Sequence, residues 1–538
     1  MTAPPPATPA PPTPPSATPE DASPIRPASA DPTAKNLGGQ AVRGSAWTTL
    51  LTVGNRLVQV GSQLVLAYLL LESDFGLVGL AYSVAAFAAF IRHAGIGVVL
   101  LQRQRRFARW AEPATWLSLA AGLTAGGLLA GAALPASWVY DEPALAGVIL
   151  VLALAMPFDA LMTVPFARLR VDMRFRTVFF LEWGTALAVA LTSIGLAFTG
   201  WGVYSFVLPK LIVGVLAVPV AWRLARVPPP RHLRLTRWKY ILGGSLWVTG
   251  GGMLIQVINQ GDYAVLGLYL PAEMVGLYYL AFVIATQSMT LVTLNLGGVL
   301  MAALSKMRGD LPRQSKALTD ALTAIAAIGM PICFTLAAVA EPLVGALLEP
   351  RWEPSGELLA WLSLGIAFRL IGHNGNIFLQ ATGQWRKYLW LNAVNAVAFL
   401  TFCWAGVELG GMTGVAIAVS LFYVAYSYGY VAVALPAATP GRWTAPVRVM
   451  RDALWTSALA AALAYAATLA FANDWAALIV GGLVSVAANA LLMIAFRRAY
   501  MLELFGRLAA GLTRRTKPTP SAPAPAPTPR PPHADALR

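Results

Sequence analysis

GSAWTTLLTVGNRLVQVGSQLVLAYLLLESDFGLVGLAYSVAAFAAFIRHAGIGVVLLQRQRR, residues 44–106, is two apolar runs joined by the acidic turn around Glu72 and Asp74 and closed by a cluster of arginines. Each run exceeds the roughly twenty residues that an α-helix needs to cross a hydrocarbon core of ~30 Å. A lone strand there would leave its backbone unpaired in lipid, so both runs read as transmembrane helices and the whole stretch as a hairpin.

The same pattern fills the chain. Of its 538 residues 57% are hydrophobic and only 12% charged, against about 25% charged in a soluble domain. Apolar runs predict spans at 44–70, 76–101, 113–134, 144–166, 177–199, 203–222, 240–268, 275–303, 317–340, 358–381, 389–407, 414–435, 453–471 and 476–496. The expected fold is an all-α polytopic membrane protein of about fourteen transmembrane helices. Both ends differ in composition. Residues 1–40 are rich in Pro and Ala without a basic segment leading into an apolar one, so a disordered tail is expected rather than a signal peptide. Residues 497–538 turn basic and then Pro-rich.

Charge sorts the loops. Arg103, Arg105, Arg106 and Arg109 stand in one set, as do Arg168 to Arg176, Arg223 to Lys239, Lys306 to Lys316, Arg386 with Lys387, and Arg442 to Arg451. The alternate loops carry Glu72, Asp74, Asp141, Glu142, Glu273, Glu341, Glu349, Glu353, Glu357 and Glu408, with the single cation Arg351. Cationic loops stay on the cytoplasmic side of an inner membrane, which predicts that both termini are cytoplasmic. The net charge of +15 is then a topology signal, strengthened by anionic headgroups, and no nucleic-acid partner is expected.

Catalytic and metal signatures are missing from the sequence. Cys333 and Cys403 sit inside apolar runs as small hydrophobes, and the four histidines lack ligand spacing. No Gly-rich phosphate loop or HExxH pattern occurs. The expectation is a protein without cofactor or metal, and not an enzyme.

Sliding the chain over itself by 200 residues aligns the first and fourth hairpins. Gly44, Ser45, Trp47 and Thr49 meet Gly244, Ser245, Trp247 and Thr249. Gly61, Val65, Leu66 and Leu70 meet Gly261, Val265, Leu266 and Leu270, and Gly76, Leu77, Leu80 and Ala81 meet Gly276, Leu277, Leu280 and Ala281. Both hairpins start on the same side, so the repeat is parallel, with a pseudo-twofold axis along the membrane normal. Helices 1–6 (residues 41–226) and 7–12 (240–435) are expected to form two six-helix lobes. A basic linker, 227–239, joins them, and helices 13–14 (436–496) are appended.

Four cations lie within the spans: Arg56, Arg92, Lys210 and Arg369. Facing lipid, each would cost at least ~2.5–3.5 kcal/mol, so each should face a wet cavity or a partner. Arg56, Gln59 and Gln63 share one helical face, and the shifted register turns that face into Gln256, Asn259 and Tyr263. Excess positive charge at depth favours an anionic ligand. The structural alternative is pairing with an intramembrane acid such as Asp159, Glu182, Asp262 or Asp320, and Asp159 and Asp262 are also the candidate ion-coupling groups. For the amides, hydrogen-bonded helix contacts are the competing reading.

Several stretches resemble the oligosaccharide flippases of the multidrug/oligosaccharidyl-lipid/polysaccharide exporter superfamily, the Wzx-like branch: LESDFGLVGLA (71–81), GIGVVLLQRQ (95–104), RLRVDMRFR (168–176), GDYAVLGLYLPAEMVGLYYLA (261–281) and LQATGQWRKY (379–388). The resemblance implies two lobes around a cationic cavity and alternating access coupled to an ion gradient. It implies an undecaprenyl-diphosphate-linked glycan as cargo, with Arg56, Arg92 and Arg369 meeting the diphosphate. Implied partners are the lipid-linked oligosaccharide, membrane lipids, and polysaccharide polymerase and export proteins. A multidrug-type exporter on the same scaffold and a membrane glycan polymerase or ligase remain the alternatives. The first would want acids at mid-depth, the second a large outward loop.

Overall fold

The structure is a computed structural model that describes residues 54–93, 96–102, 107–227, 246–293, 310–435 and 443–513, with isolated positions between them. The described residues contain helices and no strand. Helix α1 spans 54–69, followed by α2 (Glu72–His93), α3 (Phe107–Val139) and α4 (Pro143–Leu161, continuing after Met162 as Thr163–Val171). Then come α5 (Phe175–Phe198), α6 (Tyr204–Ala225), α7 (Leu246–Tyr269), α8 (Ala272–Thr293), α9 (Leu311–Ala338) and α10 (Pro354–Ala381). The continuous helix Trp385–Ala434 is two spans, α11 (385–409) and α12 (412–434), because Gly410 and Gly411 leave helical geometry. Gly411, at φ +57 and ψ −136, takes a conformation open to glycine and closed to ordinary L-residues. Helices α13 (Ala445–Thr468) and α14 (Asp474–Thr513) complete the series. Helix α14 runs well past its apolar span, because Arg497 to Thr513 is made largely of good helix formers and the next proline is Pro518.

Eight of the described helices are long and apolar enough to cross a membrane, and one of those eight is the α11–α12 pair. The protein is a multi-pass membrane protein. Its outer surface carries large apolar side chains, Trp138, Leu216, Leu409, Trp455 and Leu491 among them, as expected where lipid tails are the solvent. The first four aligned pairs of the repeat, the first 40 residues and most of the 227–239 linker lie outside the described residues.

Within the first lobe α3 packs on α4, α4 on α6, and α5 on α6, while α2 lies against α3 and α4. In the second, α10 packs on α8, α9 and the α11–α12 pair, and α7 lies along that pair. Helix α13 rests on α9, with α14 beside it. The lobes meet where α2 crosses α7 and α8. One apolar core runs through this junction, and a smaller one ties Ile96, Leu100 and Phe107 to Val164, Leu169 and Ala221.

The two ends of the bundle differ in charge. Glu72, Asp141, Glu273 and Glu349 mark an acidic face, and Arg170, Arg174, Arg223 and Arg386 a basic one. At the acidic face the crossing of α2 and α8 is symmetric. A Cβ on Gly76 would sit 2.6 Å from the Ala272 carbonyl carbon and overlap its oxygen; one on Gly276 would sit 2.8 Å from the Glu72 carbonyl carbon and overlap that oxygen. Since 72 and 272 are repeat equivalents, as are 76 and 276, the sequence repeat reappears as twofold packing. Glycine is required at both positions because the backbones touch.

A strap between α9 and α10 closes the same face. It consists of the short helix Ala340–Leu347 and a single 3-10 turn, Pro350–Trp352. Trp352 is fully buried; its Nε1 donates to the Ala67 carbonyl at 3.0 Å. Arg351 donates to the same carbonyl at 3.1 Å and to that of Tyr68 at 3.3 Å. Its Nε lies 2.9 Å from Glu349 and 3.5 Å from Glu72, as charge contacts. Tyr68 donates back to the Leu347 carbonyl at 2.5 Å. Behind Trp352 the rings of Phe75 and Phe206 stack edge to face, with centroids 5.0 and 4.9 Å apart in turn. The last carbonyls of α1, in the first lobe, are thus capped by the second.

Candidate functional site

Helices α4 and α5 each pack on α6 and leave a space towards α1. In it lies a cavity of about 900 Å³. It reaches towards the basic face, where Arg170 and Glu182 form a 3.1 Å ion pair on the wall. Its far end is at Leu66, Phe206 and Tyr279, directly beneath the aromatic plug of the acidic face. The walls alternate apolar groups, such as Val58, Phe166 and Val213, with Gln59, Ser62, Gln63, Thr185 and Ser193.

Of the candidates named from sequence, Gln59, Gln63, Lys210 and Asp159 come together here. Lys210 turns inward rather than snorkelling: its Nζ donates to the Tyr82 hydroxyl at 2.5 Å and lies 4.0 Å from the centre of that ring. Arg56 sits one helical turn from Gln59 and donates to its amide oxygen at 2.8 Å and to that of Gln287, on α8, at 3.3 Å. Arg56 therefore bridges the lobes. Gln287 was not singled out from sequence; its repeat equivalent is Phe87, so the register gave no polar match.

The remaining candidates form a separate group in the second lobe. Arg369 donates to the Asn259 side-chain oxygen and, at 3.0 Å, to the Tyr423 hydroxyl, with its guanidinium 5.0 Å from the Tyr423 ring centre and 6.0 Å from that of Phe282. Asn259 in turn donates to Gln256 at 2.9 Å. The polar face of α7 is thus occupied by Arg369, whereas the matching face of α1 lines the cavity. Asp262 is fully buried and accepts from the Tyr278 hydroxyl at 3.0 Å. The Arg92 side chain lies outside the described residues.

Neither deep arginine has a carboxylate within 4 Å among the described residues; their hydrogen-bond partners are amides and phenols, and Asp262 interacts with Arg369 only through space. From the acidic end of its helix Arg56 lies thirteen residues in and Arg369 fifteen, about 20 Å along an axis rising 1.5 Å per residue. Both therefore place a full positive charge well inside the apolar layer. Among the described residues no group of His, Cys, Asp and Glu has the geometry of a metal site.

Known proteins share this architecture. Residues 65–357 match the family described as "Polysaccharide biosynthesis protein". The succinoglycan biosynthesis transport protein ExoT of Rhizobium meliloti (strain 1021) is 24% identical over 356 residues, 66% of this chain and 72% of that protein. The amylovoran biosynthesis protein AmsL of Erwinia amylovora is 22% identical over 311 residues, 55% of this chain and 79% of that one. Among solved structures, the lipid II flippase MurJ in an inward closed conformation superposes over 84% of this chain and 99% of its own, with a TM-score of 0.68 at 14% identity. An inward-facing multidrug-resistance transporter of the MOP superfamily covers 76% of this chain and 99% of its own, with a TM-score of 0.56 at 14% identity. At such identities the two structures speak for the fold alone, the one that the sequence motifs resemble. The two-lobed helical bundle, the internal repeat and a match over more than half of the chain make this protein a member of the polysaccharide biosynthesis protein family, with the fold of the MOP superfamily.

Proposed function

We propose that the protein is a flippase that carries a polyprenyl-diphosphate-linked oligosaccharide, a lipopolysaccharide or exopolysaccharide repeat unit, from the cytoplasmic to the periplasmic leaflet of the inner membrane. The observation that carries this reading is the pair Arg56 and Arg369, held deep in the bundle on neutral partners. A cation at that depth without a carboxylate in contact is costly, and Asp262, the buried acid in electrostatic range of Arg369, is hydrogen-bonded to Tyr278 instead. A diphosphate supplies the missing negative charge, and planar guanidinium groups bind its oxygens in pairs. The names of the relatives, polysaccharide biosynthesis and transport proteins, support the same class of cargo.

On this reading the basic face is cytoplasmic, both termini lie on that side, and the cavity opens inward while the strap and plug hold the periplasmic side shut. Alternating access would then separate Arg56 from Gln287 as the lobes tilt. Asp262, buried against Tyr278, and Asp159, on the cavity wall, are the acids available for ion coupling. The protein acts as a transporter rather than an enzyme, alongside the polymerase and export proteins that use its product.

The test is Arg56→Ala and Arg369→Ala, singly and together, in cells that make the lipid-linked glycan. A hydrogen bond to a charged group contributes about 1.5–3 kcal/mol, so each single change should lower export about tenfold or more at equal protein level. Lipid-linked glycan should accumulate on the cytoplasmic leaflet, and Arg→Lys should restore only part of the loss. Normal export by a well-expressed double variant would refute the reading and leave the fold standing.

A further inference from the structure

The repeat gives both lobes the same frame, yet among the described residues equivalent positions are filled differently. At the positions where the first lobe has Gln63, Val78 and Tyr82, the second has Tyr263, Tyr278 and Phe282. These three rings are buried and pack on one another with centroids 5.7 to 6.1 Å apart. Phe399, Phe422 and Tyr423 extend the same cluster. The second lobe is thus filled by aromatic side chains. In the first lobe the equivalent space is the cavity of about 900 Å³, near the top of the ~300–1,000 Å³ range of small-molecule sites.

The lining suits a sugar. Gln59, Ser62, Gln63, Thr163, Thr185 and Ser193 offer hydroxyl and amide groups that match hydroxyls in either sense, donor or acceptor. Phe166, Phe206 and the two tyrosines Tyr82 and Tyr279 offer apolar faces for sugar C–H groups. Its charge is uneven along its length. Towards the basic face Arg170 is already paired with Glu182. At the far end Lys210, six residues and about 9 Å into its helix, holds only the Tyr82 ring and hydroxyl, with no carboxylate within 4 Å among the described residues. A single ammonium is a point charge suited to one carboxylate, whereas the arginine forks suit a diphosphate.

We infer that the first-lobe cavity is the chamber that receives the sugar portion of the translocated lipid, and that Lys210 at its closed end pairs with an acidic substituent of that glycan. The inference rests on the flippase reading and divides the cargo between two places. The diphosphate meets the arginines, Arg56 at the lobe junction and Arg369 in the second lobe; the glycan lies in the first lobe. The second lobe, filled with rings, supplies a firm wall and no sugar subsite.

The test uses the full-length protein in lipid nanodiscs and three radiolabelled probes: polyprenyl diphosphate, the same lipid bearing a neutral glucose disaccharide, and the same lipid bearing a glucuronate-terminated disaccharide. Gly214 lines the chamber, and a Cβ added there meets Phe158 at an ordinary 3.7 Å, so Gly214→Leu starts without a clash and adds bulk to the chamber wall. Ala186→Phe, from the opposite wall, is the second filling variant should the first reduce abundance. Either should lose the advantage of sugar-bearing over sugar-free lipid while binding of the sugar-free probe stays at the parent level. Lys210→Gln should leave the neutral disaccharide probe unchanged and weaken the uronate probe about tenfold, the scale of one charge-assisted hydrogen bond. Retention of the sugar advantage in a filled, folded variant overturns the chamber. Equal effects of Lys210→Gln on the neutral and acidic probes overturn the acid subsite. The flippase reading fails separately, if Arg56→Ala with Arg369→Ala leaves binding of the sugar-free diphosphate unaltered.

Discussion

Replacing Gly76 or Gly276 by alanine tests whether the acidic-face crossing is the point about which the lobes must separate. The added methyl would lie 2.6 Å from the Ala272 carbonyl carbon in one case and 2.8 Å from the Glu72 carbonyl carbon in the other. The carbonyl oxygens lie nearer still, and comfortable contact for a methyl needs about 3.5 Å, so α2 and α8 must move apart by well over 1 Å at that end. Overpacking of this kind costs about 1–3 kcal/mol. It falls on the closed arrangement alone, because the helix preference of alanine is present in both arrangements, and about 1.4 kcal/mol is a tenfold change in an equilibrium. Either substitution should therefore raise the population opened at the acidic face about tenfold. The assay is labelling of a cysteine introduced in place of Leu66, which is buried beneath the plug, by an impermeant thiol reagent; Cys333 and Cys403 are both buried. The symmetry makes a second demand, that the two substitutions act alike. Gly127→Ala and Gly184→Ala, where an added methyl meets nothing within 4 Å, serve as controls and should leave labelling unchanged. Unaltered labelling of the introduced thiol in both Gly76→Ala and Gly276→Ala, at parental abundance, would refute the reasoning.

Two further outcomes follow from the strap and from the loop charges. Arg351→Ala removes a charged donor from the Tyr68 carbonyl and leaves the Ala67 carbonyl with Trp352 alone; a hydrogen bond to a charged group contributes about 1.5–3 kcal/mol, so detergent melting should fall and labelling of the thiol that replaces Leu66 should rise. Single cysteines near Asp141 and Glu273 should react with an impermeant reagent from the periplasm and those near Arg174 and Arg386 should not; the reverse pattern would sink the assigned sidedness.

The spans were legible because apolar runs of membrane length, separated by charged loops, are a direct imprint of the bilayer on composition. The repeat was legible at Gly76 and Gly276 because backbone contact tolerates no other residue there. The partners of the deep charges were harder to read. Lys210 turns to Tyr82, which is 128 residues away in the chain, so its partner has no signature near it in sequence. The polar faces of α1 and α7 look alike in sequence, but Arg369 occupies the second. Nothing local to α7 announces that. The contrast between the cavity and the ring cluster depends on how Tyr263, Tyr278 and Phe282 fill space together, and periodicity does not report volume. The strap did leave a trace, since Arg351 is the one cation on the acidic loops, and a charge that breaks the sidedness pattern marks a structural task.

The cap on α1 also bears on how the chain is made. Its first helix enters the bilayer early, but the indole that completes its end lies 285 residues further along. Until Trp352 has been synthesised, the Ala67 carbonyl must be served by lipid headgroups or water. The first lobe therefore waits with its acidic-face end unfinished. Severing the chain between the lobes would separate a helix from its own terminus, so the two halves, alike as they are in plan, should be recovered only when made together.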